Sequence, residues 1–318
     1  MDAFEQLRGA KTYDVTYRRH NMFEEFADRR QEVRLLTPNG VLKTSTQIIE
    51  GDCRERLGEL ANDSVDLIVT SPPYADQRQA TYGGIKADKY VEWFLPISGE
   101  LLRVLKPTGT FILNIKEKSE DGERHTYVID LIKALREQGW RWTEEFIWRK
   151  TSAIPGKWRT RLRDGWERLL QFNKTFHFAM YQEAVMRPPT ESTILRAKRA
   201  QTLLKFRVHK GSSGKHRSST GSGFSRNYAN QSLEWVLPDN VLELSTEPVS
   251  QKHSAVFPKG IPEFFINLFT AEGDTVLDPF LGSGTTGYVA RLMGRNFIGI
   301  EVKPEYVQVA NERIFGDS

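Results

Sequence analysis

Two short stretches of this 318-residue chain have residue types and spacings suited to chemistry. The first is Asp278-Pro279-Phe280-Leu281-Gly282-Ser283-Gly284-Thr285-Thr286. It follows Asp274-Thr275-Val276-Leu277, a β-branched and apolar run that reads as a short buried strand. After it, residues 287–294 carry apolar residues at helical spacing and stop at a glycine. A strand, a glycine turn and a helix start bring unpaired N–H groups and the positive end of a dipole to one place. Two glycines separated by one residue let the backbone approach a ligand with no Cβ in the way. Asp278, where the strand ends, can reach polar groups of the same ligand. A further strand over 295–301 ends in Glu301, about twenty residues past the glycines, where folds of this kind grip ribose hydroxyls. The glycines lack the alternating dinucleotide spacing, and no residue stands out as a hydride-transfer acid or base, which argues against an NAD enzyme.

The second stretch is Ser71-Pro72-Pro73-Tyr74, directly after the strand-like Val65-Asp66-Leu67-Ile68-Val69-Thr70. Consecutive prolines fix the backbone and remove two N–H donors. What remains is a rigid turn with a serine hydroxyl, exposed carbonyls and an aromatic ring. It offers acceptors for the N–H bonds of an amino group and a ring to stack on a flat base. Alone, such a turn is more often a buried corner; its place after a predicted parallel strand is what gives it weight.

Positioning both turns requires an α/β frame, and the chain supplies one from Thr46 onward. Strands are predicted at 47–50, 65–70, 110–115, 140–149, 168–172, 274–277 and 295–301. Helices are predicted at 54–61, 90–105, 127–138, 258–270, 287–294 and 304–315. Such alternation implies a mostly parallel sheet with helices on both faces. Residues 1–45 are polar with scattered aromatics and read as an N-terminal extension, helical around 22–35. The rhythm is lost between about 151 and 249. Within that segment, Ser192 to Ser232 contains no acid but nine Lys or Arg residues, and part of it is rich in glycine and serine.

Composition narrows the field. The apolar fraction of 39% and 18 Phe support a real core, and no apolar run is long enough to span a membrane. The first residues have no apolar segment of a secretory signal. One cysteine, Cys53, excludes an internal disulfide and fits a reducing cytoplasm; Cys53 reads as a small structural residue. The histidines show no ligand spacing, so no metal is expected. The net charge of +4 is modest, and its concentration in one segment matters more.

Together, Thr70-Ser71-Pro72-Pro73-Tyr74 and the Asp278–Thr286 stretch resemble the amino-methylating DNA methyltransferases. The order is that of the permuted, beta-type branch: catalytic motif first, basic segment in the middle, cofactor motif last. Lys252-His253-Ser254-Ala255-Val256-Phe257-Pro258 is similar to that family's lead-in to the cofactor motif, and Trp148-Arg149-Lys150 falls where the family has an aromatic near the target base. The resemblance covers residues 46–175 and 250–315. It implies a Rossmann-like, circularly permuted methyltransferase fold that binds S-adenosylmethionine, at 46–150 and 250–318, with an inserted target-recognition region at 151–249.

By position, the resemblance assigns Phe280, Gly282, Gly284, Thr285 and Asp278 to the cofactor, Glu301 to its ribose, Asp52 to its adenine end, and His253, Phe257 and Pro258 to its methionine side. It makes Ser71, Pro72, Pro73 and Tyr74 catalytic, acting on a base flipped from duplex DNA. Serine at the head of the motif leans toward cytosine N4; adenine N6 by the same mechanism is the alternative. Expected DNA contacts are Trp148, Lys150, Arg159, Arg161, Lys205, Arg207, Lys210, Lys215 and Arg217. RNA or protein-amide methylation is a rival; the leading serine and the basic segment argue against it. A non-catalytic DNA-binding subunit is another, opposed by intact Pro72 and Gly282. A companion restriction endonuclease is the common setting for such proteins, as monomer or homodimer.

Overall fold

The computed structural model describes residues 29–37, 40–76, 84–152, 161–199, 234–246 and 257–316. Its main strands are β1 (Arg29–Thr37), β2 (Gly40–Glu50), β3 (Val65–Thr70), β4 (Leu105–Ile115), β5 (Arg141–Lys150), β6 (Trp166–Asn173), β7 (Val241–Leu244), β8 (Thr275–Asp278) and β9 (Asn296–Glu301). They form one sheet in the order β1-β2-β9-β8-β3-β4-β6-β5-β7. The five strands from β2 to β4 in that order run parallel. β6 is antiparallel to both β4 and β5, and β7 lies parallel to β5. In β3 every residue except Asp66 is buried, as expected of a central parallel strand covered on both faces.

The main helices are α1 (Cys53–Arg56), α2 (Tyr90–Val104), α3 (Tyr127–Gln138), α4 (residues 191–199), α5 (Gly260–Phe269), α6 (Thr285–Leu292) and α7 (Pro304–Phe315). On α2, Tyr90, Phe94, Ile97, Leu101 and Val104 fall on one helical stripe and are all buried. α3 ends where Gly139 adopts φ 113°, a conformation that favours glycine. Both helices join a core cluster with Ile49, Ile68, Phe111, Leu113 and Leu170 of the sheet. α5 lies against β3 and β4. Its buried Ile261, Phe265 and Ile266 fall outside that cluster, so the sheet is covered on both faces.

Two expectations change. A helix around 22–35 is replaced, over its described part, by β1, which pairs with β2 from Arg29↔Ile48 to Thr37↔Gly40. The sequence carries the reason: Glu32, Val33, Arg34 and Leu35 alternate at the strand period, and Pro38-Asn39-Gly40 has turn composition. The second compact unit is also shorter than the expected region 151–249. The chain divides into Met1–Tyr181 with Asn240–Ser318, and a second unit, Gln182–Asp239. β6 and β7 belong to the larger unit because they hydrogen-bond into its sheet. Within the smaller unit, Arg187 bridges to Val236 and pairs with Asp239 at 3.0 Å.

Candidate active site

From β8 the chain passes through α6 to β9 on one side. From β3, the neighbour on the other side, it passes through α2 to β4. The connections therefore diverge between β8 and β3, the crevice where open α/β sheets bind ligands. Both chemical turns leave the sheet there. The last residues of the two strands are bonded, with Thr70 Oγ1 donating to Asp278 Oδ1 at 2.6 Å. Thr286 Oγ1 donates to Asp278 Oδ2 at 2.7 Å, and the Phe280 N–H to Oδ1 at 3.1 Å. Burial pushes the Asp278 carboxyl up to about 6 against these three donors. Asp278, expected to reach the ligand, instead spends its carboxylate inside the protein, tying β3, β8 and α6 together.

The glycine turn is held by the next strand. Gly282 has φ 54° and Gly284 φ 81°, both left-handed. The Gly282 N–H donates to Glu301 Oε2 at 2.8 Å, and the Lys303 N–H to Oε1 at 3.0 Å. The Leu281 N–H reaches the Ile300 carbonyl at 2.9 Å. Burial pushes the Glu301 carboxyl up, opposed by those backbone donors. Arg313 of α7 donates to Ser283 Oγ and Thr285 Oγ1 at 2.9 and 2.5 Å, so the Thr285 hydroxyl expected at the cofactor is directed to α7. Gly284 likewise answers to packing: a Cβ there would sit 3.0 Å from Ala310 of α7. With its polar side chains turned inward, the turn is left to meet a ligand with backbone and with Phe280, a partly buried ring 5.9 Å from Trp93.

Around this turn, Asp52 caps α1 by accepting from the Arg54 N–H at 2.9 Å. Its carboxyl is pulled down by hydrogen bonds from Arg54. Gly51 ties that loop to the Glu301 carbonyl. Pro258 is buried at the entry to α5 beside a partly buried Phe257, while His253 lies outside the described residues. Cys53 is buried, and burial pushes its thiol up to about 12, which suits the structural reading.

The Ser-Pro-Pro-Tyr turn is anchored by side chains from four elements. Tyr90 of α2 donates to the Pro73 carbonyl at 3.0 Å. Ser71 Oγ donates to Tyr74 Oη at 3.3 Å. Tyr74 Oη lies 2.7 Å from Glu167 Oε2 on β6 and 3.1 Å from Asn114 Oδ1 on β4. A phenol has one proton, and the nearer carboxylate takes it. Asn114 Nδ2 also donates to Glu167 Oε2 at 3.2 Å and to the Arg168 carbonyl at 3.1 Å. Lys150 Nζ of β5 holds the other carboxylate oxygen at 2.6 Å. Burial and the Glu167 charge hold the Tyr74 phenol well above its ordinary value, so it stays protonated. Tyr74 as a whole is half-buried and packs against the core cluster.

Glu167 and Asn114 were not among the expected site residues. The available clue was compositional: β6 reads Trp-Glu-Arg-Leu-Leu-Gln-Phe-Asn, and period two places Glu167 on one face with buried Leu169, Gln171 and Asn173. An acid on a buried face needs a partner.

Two expected DNA contacts have partners within the protein. Trp148 is 4% exposed and donates its indole N–H to the Leu244 carbonyl at 3.1 Å, so strand packing claims its ring. Lys150 is half-buried, paired with Glu167 at 2.6 Å and 4.8 Å above the Trp148 ring. Arg161 pairs with Asp164 at 3.0 Å, and Asp164 also meets Lys116 and Arg124, each at 3.1 Å. Burial alone would raise the Asp164 carboxyl, yet bonds from Arg161 and Lys116 pull it down to about 2. Arg159, Lys205, Arg207, Lys210, Lys215 and Arg217 lie outside the described residues.

Comparison with known proteins agrees with this arrangement. Residues 65–312 match the N6/N4 family model described as DNA methylase. The Type II methyltransferase M.PvuII of Proteus hauseri is 29% identical over 289 residues, covering 84% of this chain and 83% of that protein. A solved structure of PvuII DNA methyltransferase (cytosine-N4-specific) superposes with a TM-score of 0.63 at 28% identity, covering 86% and 87% of the two chains. M1.HpyAVI, solved as its SAM complex, shares the fold at a TM-score of 0.52 and 23% identity, covering 84% and 99%.

Proposed function

This chain belongs to the N6/N4 DNA methylase family, and from that premise we propose that it methylates the exocyclic N4 of cytosine in duplex DNA, drawing on S-adenosylmethionine. The observation that carries the reading is the Thr70–Asp278 bond of 2.6 Å, which clamps the Ser-Pro-Pro-Tyr turn beside the glycine turn at one crevice. The likeness to a cytosine-N4-specific enzyme supports the choice of base.

The residues present fit the cofactor. Gly282 and Gly284 keep the turn's backbone open, Phe280 offers a ring, and each Glu301 oxygen that accepts one backbone N–H has a lone pair left for a ribose hydroxyl. Asp52 and the Phe257–Pro258 pair would supply the remaining contacts. When bound, the cofactor supplies an electrophilic methyl group on a sulfonium.

The chain's own part is to make a poor nucleophile good. The amino lone pair of cytosine is delocalised into the ring. Hydrogen bonds from its N–H groups to Ser71 Oγ and the Pro72 carbonyl would favour a pyramidal nitrogen with the lone pair directed outward. Stacking on the Tyr74 ring would hold the flipped base in line, so the rate gain would come from orientation. No covalent intermediate is required, and buried Cys53 supplies no nucleophile. Basic residues between 192 and 232 would contact phosphates, and a companion endonuclease fits the Type II relatives.

The test is transfer of labelled methyl from S-adenosylmethionine to unmethylated bacterial DNA, followed by nucleoside analysis. N4-methylcytosine that disappears in Ser71→Ala is the expected result. N6-methyladenine would overturn the base, and label on RNA or protein but not on DNA would overturn the substrate.

A further inference from the structure

We propose that Glu167 is the terminal acceptor of a proton path that leads from the substrate amine through Ser71 and Tyr74. The inference rests on the amino-methylation reading above and adds a residue and a role to it.

The geometry is a directed chain of hydrogen bonds. Ser71 Oγ donates to Tyr74 Oη at 3.3 Å, and Tyr74 Oη donates to Glu167 Oε2 at 2.7 Å. Because the Ser71 proton points into the protein, its lone pairs are left to accept from an amino N–H. Every donor thus points the same way, from the outer turn inward to a carboxylate. Glu167 is buried, and Lys150 Nζ at 2.6 Å from its other oxygen compensates its charge. Tyr127 of α3 is the other titratable group coupled to it, and its hydroxyl is donated to the Lys116 carbonyl. Arg168, the next residue along β6, is occupied by Glu117 and Glu145.

Methyl transfer creates a proton that must leave. As the amine lone pair forms the N–CH3 bond, the C–S bond electrons return to sulfur and the nitrogen becomes cationic. One N–H proton then passes to Ser71 Oγ, the Ser71 proton passes to Tyr74 Oη, and the Tyr74 proton passes to Glu167. The nitrogen ends neutral, both hydroxyls are restored and Glu167 ends as the carboxylic acid. The path spares Tyr74 from ever existing as a free phenolate, a form its burial disfavours. Asn114, which donates to the same carboxylate oxygen at 3.2 Å, fixes its direction without taking part in the transfer.

Three proteins decide the matter: wild type, Glu167→Gln and Tyr74→Phe. Tyr74→Phe keeps the ring and leaves the Glu167–Lys150 pair intact, so it reports even if Glu167→Gln folds poorly. Measured quantities are the single-turnover methylation rate against pH, S-adenosylmethionine binding by calorimetry, and base extrusion by 2-aminopurine fluorescence at the target position. Both variants are expected to lose roughly 10²-fold in rate with cofactor binding and extrusion at wild-type levels. The pH dependence of the rate should differ between wild type and both variants. A wild-type rate and pH profile in Glu167→Gln overturns the path. Loss of binding or extrusion in step with rate also overturns it, since Glu167 would then only hold the turn. A silent wild type defeats the functional reading itself, and is distinguished by failing before any variant is compared.

Discussion

The two turns at the crevice are made rigid by opposite means. The Ser-Pro-Pro-Tyr turn takes its stiffness from two pyrrolidine rings and from side chains on α2, β4, β5 and β6, which meet at Tyr74 and Pro73. The glycine turn takes its shape from left-handed backbone at Gly282 and Gly284 and from the Gly282 N–H bound to Glu301, and its polar side chains are bound to Arg313 and the strand end. A turn that must touch substrate with a hydroxyl and a ring has its backbone fixed so that its side chains are available. A turn that must let a ligand close to its backbone has its side chains consumed elsewhere.

This contrast predicts that damage to the glycine turn costs stability, while damage to the proline turn costs rate. The largest stability effect is expected for Asp278→Ala, which strands two threonine hydroxyls and the Phe280 N–H without their acceptor. The loss should be on the order of 3–5 kcal/mol, read as a lowered urea midpoint. Asp278→Asn sharpens the point through pH. The folded carboxyl titrates near 6, above its ordinary value of 3.8, so its protonated form is the one folding favours. Its contribution is fully present below about pH 4 and is lost as pH rises through about 6. The Asn variant should therefore lose less stability than wild type across that window. Next comes Gly282→Ala, where a Cβ at φ 54° should cost about 1–2 kcal/mol and weaken S-adenosylmethionine binding in calorimetry. Smallest in stability is Pro72→Ala, with about 0.4–1 kcal/mol lost through a freer unfolded chain. Yet its single-turnover rate should fall at least tenfold, because the acceptors lose their aim. A Pro72→Ala enzyme with normal rate would break the contrast.

Much of this was legible in the chain itself, and the part that was not has a common cause. Both turns, the strands that end at them and the helices α2, α3 and α7 follow from local periodicity and from glycine and proline placement. The bond between Thr70 and Asp278 was not readable, because the two residues lie 208 positions apart. Glu167 was missed for the same reason, since its partners are Tyr74, Asn114 and Lys150 on three other elements. The partners of Trp148 and Lys150 were not readable either, because a Trp-x-Lys spacing looks the same whether its face meets solvent or Leu244. β1 was misread despite its alternation and turn composition, because its charge density and flanking aromatics suggested an extension. Asp278 and Thr285 were assigned to the ligand by motif position; only coordinates show that their oxygens face Thr70, Thr286 and Arg313.

The strand order has a consequence for how the protein is born. β8 and β9, the last two strands to leave the ribosome, lie between β2 and β3, two of the first. In the native order the early strands are not neighbours, and without β8 and β9 each half of the sheet has an open inner edge. Only when residues beyond Glu301 have emerged can the missing pair slot in, closing long loops in a step that topology makes slow. That same insertion joins Thr70 to Asp278, so both chemical turns meet in one late event. A chain stopped before Thr275 holds the Ser-Pro-Pro-Tyr motif but lacks Asp278 and the glycine turn, and with them one wall of the crevice.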